Sequence, residues 1–149
     1  MAEFAYNPVQ LVEPNQNVIL NTVIPCNKGY VFHRDQSGIV ILRGIVNCPS
    51  GSFARYQVTF NANIALPEDA TVAPISVGLA IDGEPVPTSK AIVTPAAVGE
   101  YFNVTSTAII TVPKGCCFSV SVENTSALVA GIAPEINVQN ANLTVSRIA

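Results

Sequence analysis

Charge is scarce in this chain of 149 residues. Asp, Glu, Lys and Arg make up 11% of it, against about 25% in an ordinary soluble domain. There is one His, there is no Trp, and the formal net charge is −3. Each shortage excludes something. The seven basic residues are scattered singly, so no basic stripe exists for nucleic acid. No apolar run approaches the roughly 18 residues of a membrane-spanning helix, so no membrane partner is expected. One His and ten dispersed carboxylates leave little material for an active site. We therefore expect no catalytic, cofactor-binding or metal-ligating residues, and a protein that is not an enzyme. The N-terminus, Met1-Ala2-Glu3-Phe4-Ala5-Tyr6, has neither a basic n-region nor an apolar h-region. No signal peptide is expected, and synthesis is placed in a cytoplasm. Disorder is excluded by the apolar share of 49%, because disordered chains are poor in apolar residues.

The four cysteines are Cys26, Cys48, Cys116 and Cys117. An even number admits three pairings that sequence cannot separate. Cys116 and Cys117 are adjacent, and a bridge between neighbours strains the backbone. The expectation is four small buried hydrophobes, reduced where the chain folds. Zinc needs paired ligands two to four residues apart, and His33 has no such partner.

What the chain does have is alternation. From Phe53 to Ile64, Ala54, Tyr56, Val58, Phe60, Ala62 and Ile64 share one face, with Arg55, Gln57, Thr59, Asn61 and Asn63 on the other. This is the period of a strand buried on one side. From Tyr101 to Val112, Phe102, Val104, Ser106, Ala108, Ile110 and Val112 form a second stripe; Cys116, Phe118, Val120 and Val122 form a third. Ile39–Val46 and Ile75–Ile81 read as more fully buried strands, and Val18–Ile24, Tyr30–His33 and Leu143–Ile148 complete the set. Turn residues separate the runs, as in Asp35-Gln36-Ser37-Gly38, Asp82-Gly83-Glu84-Pro85 and Pro113-Lys114-Gly115. The expected fold is all-β: one antiparallel jelly-roll β-sandwich over residues 1–149, of about eight to ten strands. Residues 1–17 are expected to form an extended N-terminal arm. The expected core includes Tyr56, Val58, Phe60, Phe102, Val104, Ile110, Phe118 and Val120.

Motifs that resemble chemistry have plainer readings. His33-Arg34-Asp35 spells a kinase catalytic tripeptide, but position 40 is Val40 where that motif needs Asn. It reads as a strand end and a polar turn. Glu68-Asp69 and Asp82-Gly83-Glu84 are too thin for a calcium loop, which gathers six or more oxygens. Three Asn-x-Ser/Thr sequons, at Asn103, Asn124 and Asn142, follow from an Asn/Thr-rich composition.

Three segments resemble a known family. Ala54-Arg55-Tyr56-Gln57-Val58-Thr59-Phe60 is similar to the small-x-Tyr-x-aliphatic-x-aromatic strand of the tumour-necrosis-factor and complement-type trimeric jelly rolls. Val112-Pro113-Lys114-Gly115-Cys116-Cys117-Phe118-Ser119-Val120 resembles their Leu-x-x-Gly-Asp-x-Val-x-Val hairpin, with Cys116 in place of Asp. Ala141–Ala149 resembles the closing strand of the bacterial version that caps collagen-like spore-surface filaments. The run from Ile24 to Asp35 is similar to small structural proteins of tailed phages and prophages. The resemblance implies a homotrimer and a virion location. It makes the expected function that of a non-enzymatic structural protein: a capsid decoration, head-fibre or tail-associated component. Its partners are then copies of itself and other virion proteins, such as the major capsid or a tail protein. The alternative is a jelly-roll head that binds a receptor or a host glycan, on a phage fibre or a bacterial surface filament. The wetted strand faces favour burial against copies, since they use Asn, Thr, Ser and Gln where a free monomer uses charge. The expected oligomer interface comprises Phe53, Tyr101, Leu143 and Val145.

Overall fold

The computed structural model describes residues 1–25 and 29–149. Cys26, with the adjoining part of the 25–29 turn, lies outside the described residues. Two antiparallel sheets face each other. The first runs β10-β6-β12-β1-β3, with β2 also on β12; the second runs β4-β5-β11-β7-β8, with β9 also on β7. The strands are β1 (Ala2–Tyr6), β2 (Gln10–Val12), β3 (Thr22–Ile24), β4 (Val31–His33), β5 (Val40–Arg43) and β6 (Phe53–Ala65), then β7 (Ile75–Ile81), β8 (Glu84–Pro85), β9 (Ala91–Val93), β10 (Phe102–Pro113), β11 (Cys117–Asn124) and β12 (Ile136–Arg147). The chain crosses between sheets from β3 to β4, β5 to β6, β6 to β7, β9 to β10, β10 to β11 and β11 to β12. That is the wrapping of a jelly roll.

The alternation read from β6 becomes the core. Tyr56, Val58, Phe60 and Ile64 are fully buried. They meet Val104, Ile110, Val120, Val122, Leu42 and Leu79 in one cluster between the sheets. Burial of this apolar area is the main stabilising term, about 25 cal/mol per Å². Tyr56 keeps its hydroxyl satisfied by donating to the carbonyl oxygens of Arg43 (2.5 Å) and Tyr30 (3.3 Å). Two core expectations change. Phe102 is 38% exposed, because it is the first residue of an edge strand at the sheet's end. Phe118 is only half buried, near the start of β11.

Residues 1–17 are not an arm. β1 lies between β12 and β3, with Phe4 opposite Leu143, and β2 pairs with the start of β12. Phe4 is buried. The segment alternates over too few residues to show this in sequence. The Val18–Ile24 strand also divides: Val18 and Leu20 are buried in an irregular stretch that hydrogen-bonds Val122 and Ser37, and only Thr22–Ile24 is strand. The closing strand begins earlier than expected, at Ile136.

β7 is buried on both faces from Ile75 to Ala80. Its outer side is covered by Thr125 and Ser126, which bond Ser76, and by the 3-10 turn Pro87–Ser89. Ser89 Oγ accepts from Leu79 N (2.9 Å) and donates to Val86 O (2.7 Å). Ser106 Oγ of β10 donates to Ser89 O. One serine thus ties the second sheet to the open edge of the first.

The expectation of buried cysteines does not hold for the described ones: Cys48, Cys116 and Cys117 are free thiols, and all three are exposed. Cys116 and Cys117 sit at the tip of the β10–β11 turn, beyond the core. The Ser50 hydroxyl and backbone, hydrogen-bonded to Cys48 Sγ, hold that thiol below its ordinary pKa.

Candidate interaction face

The outer face of the β10-β6-β12-β1 sheet is built from the residues that alternate with the core. Register places Thr107, Thr59, Thr144 and Glu3 in one row across four strands. Thr105, Asn61, Asn142 and Ala5 form the next, and Ile109, Gln57 and Ser146 another. The side chains bond along these rows. Thr59 and Thr107 hydroxyls lie 3.1 Å apart. Asn103 Nδ2 donates to Asn61 Oδ1 (2.7 Å) and Asn63 Oδ1 (3.2 Å). Asn142 Nδ2 donates to a Glu3 carboxylate oxygen. Cross-strand pairs of this kind each stabilise a sheet by about 0.2–1 kcal/mol. They also leave the polar side chains of the face bonded to one another.

Two charged side chains flank this polar field, Glu3 and Arg55. The Arg55 guanidinium lies 4.5 Å from the Phe53 ring centroid. Ile109, 63% exposed and opposite Gln57, stands on the edge strand β10 of this face. An exposed aliphatic side chain on an edge strand that carries no charged residue suits a dry contact better than water.

The four expected interface residues divide. Phe53 (39% exposed) begins β6 on the outer face, and Tyr101 (41% exposed) adjoins β10 at the opposite end of the sheet. They bracket the face. Leu143 and Val145 are fully buried, opposite Phe60 and Val58. Their side chains belong to the protomer's own core, so neither meets a partner. The closing strand contributes its other side, Asn142, Thr144 and Ser146. Ile109, Gln57 and Thr107 were missed. Their period was visible, but only register shows them to be neighbours.

The remaining motifs are engaged elsewhere. The His33 ring stacks on Phe4, with centroids 5.1 Å apart, and its Nε2 bonds Ser37 O at 2.9 Å. Arg34 and Asp35 form the turn that follows. Asp82 Oδ1 accepts from the Ser119 amide and hydroxyl. No group of three His, Cys, Asp or Glu suited to a metal occurs among the described residues. No helix there is long and apolar enough to cross a membrane.

No protein-family model matches the sequence, and no curated protein matches it. Solved structures do. The chain is similar to the globular domain of zebrafish complement 1qA. The TM-score is 0.64 at 15% identity, over 99% of this chain and 96% of that one. The C-terminal domain of the sugar-binding protein EclA aligns at a TM-score of 0.44 and 15% identity, over 95% and 79% of the two chains. A xylan-binding domain of Paenibacillus barcinonensis Xyn10C aligns at 0.36 and 10%, over 99% and 87%. The first likeness shows the fold, a complement-type jelly roll, over essentially the whole chain. The other two are too loose to add to it.

Proposed function

We propose that this protein is a non-enzymatic structural component of a tailed-phage virion, assembled as a homotrimer through the outer face of the β10-β6-β12-β1 sheet. The observation that carries the assembly is that face: hydrogen-bonded within itself, poor in charge, and edged by exposed Ile109 on β10. The virion location rests on the resemblance of Ile24–Asp35 to small phage proteins. In this reading the jelly roll has its partners on the particle surface, as a capsid decoration, head-fibre or tail-associated protein. An interface of this kind is little affected by ionic screening. Light scattering at micromolar protein in about 1 M salt is expected to give three times the 15.6 kDa chain mass. A monomer under those conditions overturns the assembly. Electron microscopy of intact particles from lysates, with antibody against the chain, is expected to label the particle surface. Unlabelled particles overturn the virion location.

A further inference from the structure

The loops at the end of the sandwich where β6 and β11 finish form a second surface, independent of the trimer reading. Their clustering is fixed by backbone and side-chain bonds. Asn124 Nδ2 donates to Val12 O and Pro134 O, Asn15 N to Asn124 O, and Gly99 N to Leu66 O. Loops 13–17, 66–74, 94–101 and 125–135 thus share one end. They carry Glu13, Glu68, Asp69, Glu100 and Glu135, and no Lys or Arg. The basic side chains of Arg43, Arg55, Lys114 and Arg147 lie at the opposite end, beside the last strand residues of β5, β10 and β12. The chain is poor in charge, yet it concentrates half of its ten carboxylates around one set of loops.

Between loops 66–74 and 125–135 lies a cleft of about 470 Å³, walled by Pro14, Pro67, Val129 and Ile132, with Asp69 and Glu135 on its lining. One wall is a rigid two-residue turn. Val129 and Ile132 exchange both backbone hydrogen bonds (2.8 and 3.1 Å) across Ala130 (φ 51°) and Gly131 (φ 83°). This turn displays Ile132, 74% exposed, and follows Leu128, 71% exposed. Such display costs hydration free energy unless something covers it.

We propose that this cleft docks a polypeptide segment of another protein in which Lys or Arg alternates with aliphatic residues. The aliphatic groups lie against Ile132, Val129 and the prolines, and the cations face Asp69 and Glu135. Charge complementarity selects this occupant. Five carboxylates without a counter-charge repel nucleic acid and anionic lipid, and no aromatic ring lines the cleft to stack on a sugar. Opposite charge steers association as well as holding the contact.

The test uses the full chain and short fluorescent peptides: Lys/Leu alternating, Glu/Leu alternating and Lys/Ser alternating. The Lys/Leu peptide is expected to bind, and its affinity to fall about tenfold in the double variant Asp69→Asn, Glu135→Gln and about tenfold in Ile132→Ser, as expected for loss of roughly one strong contact. Binding should weaken steeply with salt in the wild type and little in the charge variant. All these side chains are exposed, so melting temperatures should be unchanged; Glu84→Gln, on β8 away from this end, should bind as the wild type does. The proposal is overturned if the Glu/Leu or Lys/Ser peptide binds equally well, if neither variant weakens binding, or if nothing binds at millimolar peptide. It is also overturned if the variants change the mass by light scattering, since the occupant is then a second copy. The trimer test above reads a different face, so the two readings fail separately.

Discussion

Glu123 is 6% exposed and lies one residue before the end of β11, opposite Gly78 of β7. Its carboxyl is held above the ordinary glutamate pKa, first by burial and second by repulsion from Glu84. A carboxyl whose folded pKa is raised binds its proton more tightly in the folded state. Stability therefore falls as pH rises from the ordinary value through the raised one. Glu123→Gln removes that loss. Thermal melting at pH 7 is expected to rise by about 2 °C in the variant, and the difference should vanish below about pH 4. A variant that melts lower at pH 7 and equally at low pH would show that the carboxylate is satisfied when charged. Gly44 illustrates another single-residue constraint. A Cβ there would meet Pro113 O at 2.0 Å, so β5 and the β10–β11 turn approach closely only because this residue has none.

Among the elements, β6 and β12 carry most of the first sheet. Phe60 of β6 is fully buried against Leu143. Phe60→Ala is expected to cost about 3–5 kcal/mol, read as a fall in denaturant midpoint or failure to fold. β12 achieves the same burial with a device that alternation alone conceals. Ile136 and Val138 are inward at even positions; Ala141, Leu143 and Val145 are inward at odd ones. A bulge between Gln139 and Asn142, with Asn140 at φ 53°, absorbs the extra residue and restores the inward face. Asn tolerates this left-handed conformation, whereas a β-branched residue does not. Asn140→Gly should be near neutral, and Asn140→Val should cost about 1–3 kcal/mol, both measured by chemical denaturation. Equal stability of the two variants would remove the bulge from the account.

At the scale of the whole molecule, the two surfaces differ in character. The outer sheet face is poor in charge, and the loop end is acidic and grooved. Ile109→Glu places a charge on the edge strand β10 of the proposed interface without touching the core. It is expected to give a monomer by light scattering while far-ultraviolet circular dichroism keeps its β signature. A variant that stays trimeric would move the interface elsewhere. Ile109→Val should assemble like the wild type, since it keeps the face apolar.

The sequence by itself determined the fold class, because period-2 alternation in β6, β10 and β11 needs only one buried side to be visible. It also determined the shortage of charge, and from that the expectation of a covered face. It pointed to Phe53 and Tyr101 for that face, and both are exposed. It misplaced Leu143 and Val145 because a strand has two sides, and which one is inward depends on the partner strand and on the bulge at Asn140. Phe102 misled for a similar reason: position along a sheet, not period, decides whether an inward residue is covered. β1 and β2 escaped notice because short strands acquire their identity from β12, far away in sequence. The gathering of Glu13, Asp69, Glu100 and Glu135 at one end was decided only by the tertiary structure. Residues distant along the chain become neighbours where the strands of both sheets turn, and nothing in local pattern records where a strand will turn in space.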